Sequence, residues 1–345
     1  MIFVPLFYFC PTMPVHLTLC PLLLLAFHSL LSVLYSFYLQ CYIYTHACVR
    51  SKIFPTFFNK ISLFEITASD DWSYLGDNGP EHWPGLCMSG KKQSPINIAT
   101  EDTIKIDLGK LKFIRYDFAF QGKITNNGHS VQVQLCCVPI HLEGANLPST
   151  YILEQIHFHW PAEHTIDNIR DALELHFVHY NEQYSNASMA SQHENGIAVV
   201  ATLFEVNSED NLEIMSILKA TELVSNAVGE TTALMETKII PYLLLPKDHT
   251  TYYHYDGSLT TPGCQETVMW YILTEKLSIS EQQVNIFKSV GTNNGTLSFN
   301  HRPTQTVGER TIYHQLDGYS AATIHLSNLV NVCFSLLLSK LLYFK

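Results

Sequence analysis

In Gln155-Ile156-His157-Phe158-His159-Trp160 two histidines stand at i and i+2 among apolar, β-prone neighbours. On a strand that spacing places both imidazoles on one face, aimed at a single point. A second run, Leu173-Glu174-Leu175-His176-Phe177-Val178-His179, repeats the pattern with an acid in the first place. Glu174 and His176 then share a face while His179 points the other way, so parity selects His176 as the third ligand of a metal. Three neutral imidazoles leave one position of a tetrahedral Zn²⁺ open, the arrangement of a catalytic rather than a structural site. Zinc lowers the pKa of bound water from about 15.7 to about 7, which supplies hydroxide at neutral pH.

Elements that could position these pairs follow from the surrounding texture. The runs Ser130-Val-Gln-Val-Gln-Leu135, Tyr151-Ile-Leu-Glu-Gln-Ile156 and Gly196-Ile-Ala-Val-Val-Ala-Thr-Leu-Phe204 read as strands, punctuated by turn signals at Asn126-Asn-Gly128 and Asp256-Gly257. Helical period is scarce, and the spacing predicts helices only over Asn211–Leu223 and near Ser280–Ser289. The reading is one mainly β domain with a few short helices over residues 67–318.

The 345-residue chain carries 20 basic and 31 acidic side chains, for a net charge of −11. Nucleic acid is excluded as a partner, because phosphate binding needs Lys and Arg. Residues 1–66 form a hydrophobic leader, a targeting or membrane segment in which Leu17–Leu39 is long and apolar enough to cross a bilayer. Arg50, Lys52 and Lys60 follow that run rather than precede it, unlike an ordinary cleaved signal. Residues 319–345 form a hydrophobic tail. Its order of small residues at Ser320-Ala-Ala322, a polar spacer and an apolar end resembles a glycosylphosphatidylinositol attachment signal.

From Asp71 to about Gln305 the chain resembles the α-class carbonic anhydrases. The resemblance rests on nine segments in order: Tyr74, Asn78-Gly-Pro-Glu-His-Trp83, Gln93-Ser-Pro-Ile96, Asn126-Asn-Gly-His129, His157-Phe-His-Trp160, Glu163-His-Thr165, Glu174-Leu-His176, Gly257-Ser-Leu-Thr-Thr-Pro262 and Asn300-His-Arg-Pro303. It implies a single domain on a large twisted, mostly antiparallel sheet, with zinc at the bottom of a cleft and carbon dioxide and bicarbonate as substrate and product. It makes His157, His159 and His176 the zinc ligands, in agreement with parity, oriented in turn by Gln155, by the main-chain carbonyl of Asn300 and by Glu174. Thr260 is implied as the gatekeeper that orients the nucleophile by donating its own proton to Glu163. His129 is implied as the proton shuttle, with Tyr74, Asn127 and Gln132 in the proton and water network. Val178, Val199, Leu259, Thr261, Val268 and Trp270 are implied as the wall of the substrate pocket.

One departure bears on Glu163: only Pro161 and Ala162 separate it from Trp160, where the family has several more residues. The shortening creates His-x-His-x₃-Glu, which resembles the first motif of a cupin-like metal oxygenase, but no matching second histidine motif follows. A catalytically silent binding module of the same family would be betrayed by a substituted ligand or gatekeeper, and none is substituted. Cys87 and Cys264 match the disulfide pair of extracellular members of the family, whereas the adjacent Cys136 and Cys137 read as buried thiols. With the sequons at Asn186 and Asn294, the pair implies an extracellular glycoprotein, secreted or held at the outer face of the plasma membrane through its tail or a lipid.

Overall fold

The computed structural model of the protein describes residues 72–229, 232–293 and 295–316. The leader expected over 1–66, the tail over 319–345 and the sequon at Asn294 lie outside the described residues. Among the described residues no helix is long and apolar enough to cross a membrane.

The β-branched and aromatic runs form strands, and ten of them lie on one continuous sheet path: β1 (Ile104–Ile106), β2 (Gly122–Asn126), β3 (Val131–Leu135), β4 (Tyr151–His159), β5 (Leu173–Asn181), β6 (Ile197–Asn207), β7 (Thr232–Leu234), β8 (Tyr252–Gly257), β9 (Val268–Leu273) and β10 (Tyr313–Gln315). Their order across the sheet is β7-β2-β3-β4-β5-β6-β9-β8-β10-β1. Only β6–β9 and β10–β1 are parallel along this path, so the expectation of a mostly antiparallel sheet holds.

Strands β5 and β6 are buried on both faces over most of their length. One face packs Ile156, Phe158, Leu175, Phe177, Val200 and Tyr271 into the larger apolar cluster. The opposite face contributes Val178, Val199, Ala201, Tyr255 and Trp270 to a second cluster. Two helices of more than one turn occur among the described residues: α1 (Met215–Val224) and α2 (Glu281–Lys288). The α2 helix starts where expected, with Ser280 and Gln283 closing a capping box. The α1 helix starts four residues later than its apolar period suggests. Asn211 instead turns the chain locally, its Oδ1 accepting from the Glu213 amide at 3.0 Å while its own amide donates to Gln283 Oε1.

Register fixes what the sheet presents. His157 lies directly across from His176 on β5 and from Gln132 on β3. Next to that row, Gln155 pairs with Val178, Val178 with Val199, and Val199 with Trp270, so an amide and an apolar wall stand on the same face. The β4–β5 register then shifts: Val178 faces Gln155 but His179 faces Leu153, which leaves Glu154 as the extra residue of a bulge.

Candidate active site

A cleft of about 380 Å³ opens over these rows. At its floor the Nε2 atoms of His157 and His159 are 3.0 Å apart, and Nδ1 of His176 is 3.2 Å from Nε2 of His157. Each imidazole is turned by a partner on its other nitrogen. His157 Nδ1 donates to Gln155 Oε1 (3.0 Å), His159 Nδ1 to the main-chain oxygen of Asn300 (2.7 Å), and His176 Nε2 to Glu174 Oε1 (2.7 Å). With the outer nitrogens protonated, the inner three carry lone pairs that converge with no proton between them.

That arrangement is repulsive unless a cation lies among the donors. Zinc–nitrogen bonds of about 2.0–2.1 Å in a tetrahedron set the donors about 3.3 Å apart, close to the observed spacing, so the residues present fit zinc. Burial lowers the pKa of all three imidazoles, His159 to about 4, which keeps them in the neutral form a metal requires.

Glu174 is the deepest part of this arrangement. Its Oε1 accepts from His176 and from His164 Nδ1, both at 2.7 Å, and its Oε2 accepts from the backbone amides of Glu163 and His164, both at 2.8 Å. Burial pushes its pKa up, but the charges and hydrogen bonds of His164 and His176 outweigh that and hold the carboxyl well below the usual range. His164 continues the network, its Nε2 lying 2.6 Å from the Tyr255 hydroxyl, which donates to Ser94 Oγ.

Glu163 reaches the site across the short connection. Ala162 donates its amide to the Asp171 carbonyl, and the Arg170 guanidinium braces the carbonyls of Ala162 and Glu163. The Glu163 carboxyl is fully buried; Oε1 accepts from the Arg302 amide at 2.9 Å and Oε2 lies 3.4 Å from His159 Nε2. Burial raises its pKa to about 7, with the Thr260 hydroxyl among the groups that pull it back. Oε2 nevertheless lacks a hydrogen bond of ordinary geometry. A cation among the imidazoles lowers this pKa further.

Thr260 is buried and lines the cleft beside Leu259, Thr261 and Pro262. Its loop leaves β8 at Gly257, where any Cβ collides with Ser94 Oγ and Trp270, and is latched reciprocally by Ser258 N–H to Ser94 Oγ (3.0 Å) and Ser94 N–H to Ser258 Oγ (2.9 Å). Cys87 and Cys264 are joined by a disulfide, as the resemblance implied. Arg302 ties that bridge to the site: its guanidinium donates to the Cys87 carbonyl, to Gln93 Oε1 and to the Ser94 carbonyl, while its amide holds Glu163.

At the cleft mouth, His129 follows the left-handed Gly128 (φ 84°) in the β2–β3 hairpin. Asn127 Oδ1 accepts from the amides of His129 (3.0 Å) and Ser130 (2.7 Å), which fixes the tip. The half-buried imidazole stacks on Trp72, with centroids 3.6 Å apart and planes at 10°.

Tyr74, Asn127, Gln132, Val178, Val199 and Trp270, which the resemblance implied for the network and the pocket wall, all line the cleft. Val268 is not among the residues that line it: it is buried in the same apolar cluster as Val178, Val199 and Trp270, two residues along β9 from Trp270. Asn186 is exposed and caps a short helix at Ala187–Ala190, its Oδ1 accepting from the Met189 amide. Cys136 is half-buried and Cys137 exposed, correcting the expectation that both are buried, because the chain has left β3 for a surface turn. Four further residues at the site were given no role from the sequence, although His164 and Arg302 stand within the quoted motifs. Trp72, His164 and Arg302 carry no spacing signal of their own, and Glu154 was hidden by a bulge that strict alternation does not anticipate.

The family model of eukaryotic-type carbonic anhydrases matches residues 78–316. The chain is 36% identical over 294 residues to carbonic anhydrase 6 of Mus musculus, covering 78% of this chain and 90% of that protein. It is 32% identical over 261 residues to carbonic anhydrase 4 of Oryctolagus cuniculus, covering 72% and 82% respectively.

Proposed function

The chain belongs to the eukaryotic-type carbonic anhydrase family, and from that premise we propose that it hydrates carbon dioxide reversibly to bicarbonate and a proton at the His157, His159 and His176 centre. The observation that carries this reading is the convergence of three neutral imidazole donors, each oriented by its own acceptor, beneath an apolar wall. A zinc ion held by these donors supplies hydroxide at neutral pH by lowering the pKa of its water ligand.

The protein's own residues do the rest. Gln155, Glu174 and the Asn300 carbonyl hold the donors in the ligating tautomer. Thr260, buried next to Glu163, accepts a hydrogen bond from the nucleophile and donates its own O–H to the carboxylate, which aims a lone pair at the substrate carbon. Val178, Val199, Leu259 and Trp270 offer uncharged carbon dioxide an apolar resting place. His129 takes the released proton at its imidazole and, standing at the cleft mouth, hands it to solvent buffer.

Metal analysis with stopped-flow hydration tests this directly. One zinc per chain is expected, with activity abolished in His157→Ala; active protein lacking stoichiometric zinc overturns the reading. The Cys87–Cys264 bridge supports a folded domain matured in an oxidising compartment. We further propose that the enzyme is extracellular, glycosylated at Asn186 and Asn294, and tethered through a lipid near Ser320. Release of activity from cells by phosphatidylinositol-specific phospholipase is the expected result; activity retained on membranes together with residues 329–344 refutes the tether.

A further inference from the structure

The lining of the cleft contains one acidic side chain among the described residues, Glu154, and no Lys or Arg. The same lining includes the amide side chains of Asn127, Gln132, Gln134 and Gln155. Strict alternation along β4 would turn Glu154 away from Gln155 and His157. The register shift between Val178 and His179 makes Glu154 the unpaired extra residue, so that Glu154 and Gln155 both face the cleft. The carboxyl is half-buried, and no ion pair with a described cation neutralises it. Its field is felt by Tyr180 on β5, whose pKa it helps to raise.

From this placement we infer that Glu154 is a specificity-determining residue that disfavours small anions in the cleft and so weakens the hold on the bicarbonate product. The inference rests on the proposed hydration reaction. Carbon dioxide is neutral and crosses this field without cost, whereas bicarbonate carries a charge of the same sign as the carboxylate. Three residues of strand separate Glu154 from His157, a span of about 10 Å. Two unit charges that far apart, with screening between that of the protein surface and that of water, alter an equilibrium about two- to tenfold at low ionic strength.

The test compares zinc-loaded wild type, Glu154→Gln and Glu154→Asp. Thiocyanate binding is measured by calorimetry, and hydration is followed in parallel by stopped flow. Glu154→Gln is expected to bind thiocyanate about two- to tenfold more tightly, with a smaller gain at high salt, and the change in anion affinity is expected to exceed any change in kcat/KM for neutral carbon dioxide. Glu154→Asp, which keeps the charge, is expected to stay near wild type. Equal thiocyanate affinity in wild type and Glu154→Gln overturns the inference, as does a parallel shift in anion binding and in kcat/KM, which marks a structural effect. Wild-type protein that holds no zinc and hydrates nothing removes the proposed function itself, and this inference with it.

Discussion

Glu174→Gln isolates the group on which the proposed metal centre depends. The carboxylate accepts four hydrogen bonds, two from imidazoles at 2.7 Å and two from backbone amides at 2.8 Å, and is fully buried. An amide of the same shape offers one acceptor oxygen and one NH₂. If the oxygen keeps the two backbone amides, the NH₂ confronts the N–H groups of His176 and His164. His176 escapes that clash by moving its proton to Nδ1, the nitrogen needed for the metal. Loss of a partner of this kind lowers zinc affinity about 10- to 100-fold. Breaking a buried charged network also destabilises the metal-free fold by about 3–5 kcal/mol. The sign of the pH dependence follows from the depressed pKa of Glu174: its contribution is present above the unfolded value of about 4.5 and is lost as pH falls through the folded value. The gap between wild type and variant in urea unfolding of metal-free protein therefore narrows toward acid. Competition against a chromophoric chelator measures the affinity. A variant that holds zinc within twofold of wild type and unfolds at the same urea midpoint refutes the assignment of Glu174 as the group that orients His176.

Other perturbations probe separate parts of the molecule. Replacing Cys87 and Cys264 by Ser opens a loop of sequence separation 177, which in the chain-entropy model costs about 5 kcal/mol; urea unfolding checks this, and an unchanged midpoint refutes it. His129→Ala is expected to lower kcat in weak buffer about tenfold or more, with little change in kcat/KM and with recovery on adding imidazole, because proton transfer follows the chemical step. Equal loss in both constants without rescue makes His129 a structural residue. His179, buried against Tyr116, has its pKa lowered by burial to about 3. Its neutral form contributes stability that is complete above the unfolded pKa of about 6.5 and is lost as pH falls toward 3, a span worth about 4–5 kcal/mol. His179→Gln should flatten the acid limb of stability in metal-free protein, and identical slopes disprove that contribution.

The candidate ligands were legible in the sequence because which side chains share a strand face depends on parity. His157 and His159 share a face by their spacing of two, and Glu174 and His176 do so for the same reason, so both pairs needed only the strands that their apolar neighbours dictate. The polar turn at Asn127-Gly128 likewise announced the hairpin that carries His129. The roles of Thr260, Glu163 and Asn300 have no local period, and there the ordered family motifs had to stand in for geometry.

Tertiary structure decided what depends on register and on contacts across long sequence distances. Pairing across β4 and β5 set His176 opposite His157, and the latch between Ser94 and Ser258 placed the Thr260 loop, with partners 164 residues apart. Arg302 gathers Cys87, Gln93, Ser94 and Glu163, a convergence that no single segment encodes. Val268 shows the limit from the other side: the resemblance implied it as part of the wall, whereas it is buried in the apolar cluster two residues along β9 from Trp270 and is not among the residues that line the cleft. Glu154 is the sharpest case, since one extra residue in a strand reverses alternation locally. That reversal comes from how two strands pair and not from the composition of either, so only the folded sheet could turn this carboxylate into the cleft.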